Sequence, residues 1–200
     1  MRVHLPGATT AHPARAVPPR HLPRWATAVL SALAVLGLQA IAIPTASAAR
    51  LDDAVIVTYD ASGAAEFTDA VHDGAAVWND HVSHVQLVPV APGRTADVDI
   101  TATDGWPLTW MYSPGSGRVE MGRQATDEGH DPVRIAAHEL GHILGLPDMK
   151  PGPCSSLMSG STAGTDCTNP VPNADEIDQV EAIFAPGYRT THSETVLFTD

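Results

Sequence analysis

His138, Glu139, His142, Gly145 and Asp148 fall in the stretch AAHELGHILGLPD at the spacing H-E-x-x-H-x-x-G-x-x-D. Residues four apart share one face of a helix, so His138 and His142 can direct two imidazoles at a single ion. Glu139 stands beside the first histidine, where a carboxylate can act on water at the metal without being a ligand. Gly145 is the residue type that ends a helix in a left-handed turn. Such a turn sends the chain back toward the histidines, and Asp148 arrives with a hard oxygen. Two nitrogens and one oxygen leave a fourth tetrahedral position open, as a catalytic zinc site requires.

The helix that must carry these groups is written around them. Val133, Ala136, Ala137, Leu140, Ile143 and Leu144 recur at helical spacing as a core stripe. His138 and His142 project away from it, so the helix is expected to be buried on one side and to hold metal on the other. Asp131-Pro132 supplies a capping carboxylate and then proline at the first helical position. Upstream, the β-branched run at 54–59 reads as a buried strand. A helix follows through Phe67, Ala70, Val71, Ala75, Val77 and Trp78 to His81, in which Gly74 allows close packing. Strands are predicted at 84–90, 98–103 and 118–123, the last as the edge on which an extended substrate would lie. Trp106 and Trp110 fall in a turn-rich segment, as cover for a core edge or as lining of a substrate pocket. Residues 147–172 are rich in Pro, Gly and Ser and lack periodicity. Asn173 to Glu176 then opens a last helix that faces the core with Ile177, Val180 and Ile183. His72, His81, His84 and His130 read as isolated histidines rather than a second metal site.

Beyond the motif, VTYDASGA, AAVWND, VQLVPV, GLPD, GPCSSLMSG and DCTNPVPN resemble the snapalysins, small secreted bacterial neutral proteases with a metzincin-like signature. The resemblance covers residues 54–187. It implies an α/β (α+β) metzincin-like zincin, with a twisted mixed sheet packed on the first helix and the active-site helix. It also implies zinc on His138, His142 and Asp148, catalysis by Glu139, and Met158 in a methionine turn beneath the metal. Protein substrates with an aromatic residue just after the cut are implied as well. Two positions depart from the family. A tyrosine lies two residues after the aspartate in that family, where this chain has Lys150, preceded by Met149. Calcium is carried near the start of the active-site helix, at positions matching Asp131 and Val133. Valine has only its carbonyl to offer there, and Asp131 reads first as a helix cap.

Residues 1–48 hold four arginines and no acid, an uncharged run from Trp25 to Ile43, and then Ala46-Ser47-Ala48. This is the layout of a secretory signal peptide, with a short pro-segment extending to about residue 53 as an option. An uncleaved membrane anchor is the competing reading of the same run. Loss of those four positive charges takes the formal net charge from -12 to -16. So acidic a domain does not seek nucleic acid or anionic membranes, and it is expected to be secreted and monomeric, with no stable membrane association after signal cleavage. A 44% apolar composition is enough for one globular domain at 49–187, with 188–200 read as a flexible tail. Cys154 and Cys167 are the only cysteines, and export makes a disulfide their default state, in preference to a pair of zinc thiolates.

The sequence therefore predicts a zinc endopeptidase with Zn2+ and, secondarily, Ca2+. The competing class is a secreted zinc-stabilised binding module without turnover. Such a module needs the three ligands but not Glu139, and that residue separates the two readings.

Overall fold

The computed structural model describes residues 54–186 and 195–199; the expected signal peptide and pro-segment lie outside the described residues. The VIVTY run opens β1 (Val55–Gly63), and a single 3-10 turn leads into α1 (Thr68–His81). Next come β2 (Val85–Pro89), β3 (Val98–Thr103), β4 (Leu108–Ser113) and β5 (Ser116–Gly122). A short α2 (Arg123–Asp127) precedes α3 (Pro132–Ile143), the helix of the H-E-x-x-H motif. A 3-10 segment (Leu157–Ala163), α4 (Ala174–Ile183) and β6 (Val196–Thr199) complete the order.

The strands form one mixed sheet in the order β2-β1-β3-β5-β4-β6. β2, β1, β3 and β5 are parallel neighbours, whereas β4 runs antiparallel to both β5 and β6. Alternation decides the faces. Val57, Tyr59 and Ala61 of β1, Val98 and Ile100 of β3, and Val119 and Met121 of β5 are buried. Asp99 and Arg118, between them in the pleat, are exposed. The buried set forms one core with Val71, Ala75 and Trp78 of α1 and Ala136, Leu140 and Ile143 of α3.

α1 and α3 approach at Gly74. A Cβ there would lie 2.8 Å from the Ala137 nitrogen and 3.1 Å from the Ala136 carbonyl carbon. Only glycine lets the two backbones come so near, as its place in the helical pattern implies. One turn further on, the buried Trp78 indole donates to the Ala137 carbonyl at 2.8 Å. The first helix thus grips the backbone of the motif helix immediately before His138.

Four expectations are corrected. The strand expected at 118–123 exists as β5, but it lies inside the sheet, because β4 folds back on it through Pro114-Gly115. β4 escapes a reading by periodicity since Thr109 is its only buried residue. Its tryptophan, Trp110, stands opposite Arg118, whose guanidinium lies 5.4 Å from the ring centroid, while Trp106 packs against the core and edge-on to His130. α3 is not one-sided: every residue from Arg134 to Ile143 is buried, because α1, the sheet and the 157–163 segment enclose it. Finally, part of the tail read as flexible is β6, whose β-branched and aromatic residues pair with β4.

Candidate active site

Asp131 starts the motif helix: its Oδ1 accepts from the Arg134 amide at 2.8 Å, and Pro132 follows at the first helical position. The other end is closed by Gly145, whose φ of 101° is open to glycine but strained for other residues. Gly145 N donates to the His142 carbonyl at 2.9 Å and Leu146 N to the Gly141 carbonyl at 3.0 Å, a paired closure of the helix end. This turn does more than stop the helix. It presents the Leu146 carbonyl to His142 Nδ1 at 2.8 Å.

His138 Nδ1 meets the Leu157 carbonyl at 3.0 Å. A carbonyl only accepts, so both Nδ1 atoms carry a proton and the Nε2 atoms are the ones left to serve as metal donors. Those two Nε2 atoms face each other at 3.1 Å. Asp148 Oδ1 lies 3.4 Å from His138 Nε2 and 3.5 Å from that of His142. This oxygen is buried and makes no hydrogen bond.

Three electron-rich atoms converging in a buried space repel one another unless a cation lies among them. A tetrahedral ion with bonds of about 2.0–2.1 Å sets its ligand atoms about 3.3 Å apart, which the three observed edges bracket. His138, His142 and Asp148 are also the one group of three such donors that comes together among the described residues. The donor set fits zinc in kind, number and spacing.

Glu139 is 1% exposed, and Thr109 Oγ1 of β4 donates to its Oε2 at 2.6 Å. This bond holds the carboxylate toward β4. Taking so many polar groups out of water is costly. The apolar neighbours Leu140 and Ile143, both fully buried, offset part of that cost at about 2 kcal/mol each.

Met158 is buried in the segment after the ligands, and its carbonyl accepts from Met149 N at 2.8 Å, tying the chain just past Asp148 to this turn. Sequence reasoning missed what holds the turn itself. Glu176, which reads as one half of a helix-capping box, does cap α4. Its buried carboxylate also accepts from Ser156 Oγ at 2.7 Å, Leu157 N at 3.1 Å and Met158 N at 2.9 Å. Arg134, 5% exposed, donates to the Ser156 carbonyl at 2.9 Å and to Ser159 Oγ at 3.0 Å. Both ions position the Leu157 carbonyl and, through it, the ring of His138. An arginine inside the core stripe and an acid at a helix start were the available signals, but their target lies about twenty residues away in sequence.

Cys154 and Cys167 are joined in a disulfide, as export predicts. The remaining histidines have other partners. His72 Nδ1 meets the Tyr59 hydroxyl at 2.8 Å, His81 Nδ1 the Val77 carbonyl at 2.7 Å, and His84 Nδ1 the Glu181 carboxylate at 2.8 Å. Lys150 Nζ lies 3.3 Å from Asp148 Oδ1.

A mixed sheet, a buried H-E-x-x-H helix and a third donor returned by a glycine turn define a metalloendopeptidase of metzincin-like fold. The chain matches the profile of the Streptomyces extracellular neutral proteinase (M7) family over residues 54–187, and it belongs to that family, the snapalysins. It is 41% identical to the extracellular small neutral protease of Streptomyces caespitosus over 135 residues, 66% of this chain and 99% of that protein. Similarity to proteins of the same name is 37% over 155 residues in Streptomyces sp. (strain C5), covering 76% of this chain and 66% of the relative. It is again 37% over 140 residues in Streptomyces lividans, covering 68% and 60%.

Proposed function

We propose that this protein is a secreted zinc endopeptidase that hydrolyses peptide bonds in proteins, with an aromatic preference just after the cut. His138, His142 and Asp148 would hold the zinc, and Glu139 would be the proton carrier. Bound zinc supplies Lewis-acid polarisation of the scissile carbonyl and lowers the pKa of water. Every other contribution comes from the chain. Glu139 takes a proton from the attacking water and passes it to the departing amine, so one carboxylate serves as base and then as acid. Thr109 holds that carboxylate in register with β4, the strand along which a peptide would lie extended. The Leu157 and Leu146 carbonyls keep both imidazoles in the tautomer that leaves Nε2 for metal. Secretion is supported by the leader at 1–48 and by the names of the relatives; the aromatic preference is supported by the family resemblance.

The observation that carries the reading is the pair of Nε2 atoms and one Asp148 oxygen facing each other with Glu139 alongside. Glu139→Gln keeps the size of the side chain and deletes no ligand. Zinc content should stay stoichiometric while turnover of casein and of peptides with an aromatic residue after the scissile bond falls about a hundred-fold to ten-thousand-fold. Equal turnover at matched zinc would remove Glu139 from the mechanism. Zinc retention with no cleavage by either protein would favour a non-catalytic binding module.

A further inference from the structure

The family match ends at residue 187, yet the chain continues to 200. Within that extension Val196–Thr199 forms β6, whose partner is β4. Without β6, β4 would be the free edge of the sheet. The register sets Thr199 against Leu108, Phe198 against Thr109, Leu197 against Trp110 and Val196 against Met111. Phe198 is therefore the Cα partner of the residue that holds Glu139. Its ring stacks on His142, with centroids 4.0 Å apart and planes 8° from parallel. Lys150 Nζ donates to the Thr199 carbonyl at 3.2 Å. Residues 196–199 thus lie along the strand that holds the glutamate, with Phe198 against one of the candidate metal donors.

An extended peptide is bound by an edge strand through main-chain hydrogen bonds. A sheet edge takes one strand at a time. We propose that residues 195–199 are a resident occupant of the peptide-binding edge, and that the enzyme competes with its own strand β6 for every substrate. The proposal rests on the peptidase reading for its consequence but not for its geometry.

The contact is weak enough to be reversible. β6 has four residues, and Val196 and Leu197 are 37% and 53% exposed. Tethering compensates, since a segment of the same chain has a local concentration on the order of millimolar. A strand of roughly 0.1 mM intrinsic affinity would then occupy the edge in about nine molecules of ten, raising KM about tenfold and leaving kcat unchanged.

The test uses the full exported chain, its Phe198→Ala variant, and Phe198→Tyr, which keeps an aromatic ring on His142. The probe is a fluorescent octapeptide with the sequence of residues 193–200, added in trans at matched zinc and read by anisotropy, with no turnover needed. Phe198→Ala should bind it about tenfold more tightly than the parent, and Phe198→Tyr should behave as the parent does. For a peptide substrate, Phe198→Ala should raise kcat/KM about five- to tenfold, entirely through KM. Equal probe affinity in parent and Phe198→Ala overturns the proposal, as does an unchanged KM in cleaving enzymes. Removal of the tail from the incubated parent would also overturn it, by making the segment a substrate. Tighter probe binding to Phe198→Ala without cleavage by either protein would sink the peptidase reading and leave the occupied edge standing.

Discussion

On one side of the Glu139 carboxylate, the chain from His142 to Met158 is tied down by buried, multiply bonded groups. His142 and His138 each hold a backbone carbonyl, and Glu176 accepts from the Ser156 hydroxyl and two successive amides beyond it. On the other side, β4 and β6 meet where Trp110 and Met111 are only half-buried and Val196 and Leu197 exposed. The contrast matches the work we propose for each side. Donors to a metal must keep their separations whether or not the ion is bound, so they are fixed by groups that cannot move without leaving a buried polar atom unpaired. A peptide-binding edge must exchange one strand for another, so its contacts are few and near water.

Three variants can break or sharpen that contrast. The largest effect is expected for Glu176→Ala. It leaves the Leu157 and Met158 amides and the Asn173 amide without their buried acceptor. Loss of about 3–5 kcal/mol in urea unfolding is expected, together with weaker zinc binding as the Leu157 carbonyl drifts from His138. A fully stable variant with parental zinc affinity would show that the turn is held by something else.

Replacing Cys154 and Cys167 by serine opens a short loop beside the same turn and should cost about 3 kcal/mol on the loop-entropy estimate. Hydrogen exchange should rise first between Pro153 and Asn169, with the amides of α3 still protected. Simultaneous loss of protection in both would mean that the loop and the helix form one cooperative unit.

The smallest effect belongs to the edge. Leu197→Ala trims an exposed side chain of β6, and the midpoint of global unfolding should move by no more than about 0.5 kcal/mol equivalent. A loss of several kcal/mol would place β6 among the structural strands and erase the difference between the two sides.

The chemistry was legible because it is local. His138, Glu139 and His142 are spaced by the helix itself, and Asp131-Pro132 and Gly145 mark its ends through backbone rules that act over four or five residues. The parallel strands were legible where β-branched residues cluster, as at 54–59, or alternate with polar ones, as Val98 and Ile100 do with Asp97 and Asp99. β4 was not, because Thr109 alone turns inward and its apolar residues carry no period. Glu176 and Arg134 show the same boundary from the other direction: their local roles, a capping box and a helical position, say nothing of the carbonyls and amides they reach. The amino-acid sequence by itself determined the three candidate donors, the helix that spaces two of them and the export-dependent disulfide, all of which need only neighbouring residues or a compartment. Tertiary structure alone decided which strand lies next to β6, what clamps the turn at 156–158, and that residues 196–199 pair with the strand that holds Glu139. Those depend on which segments meet after folding, and no short-range pattern encodes a meeting between residues 109 and 198.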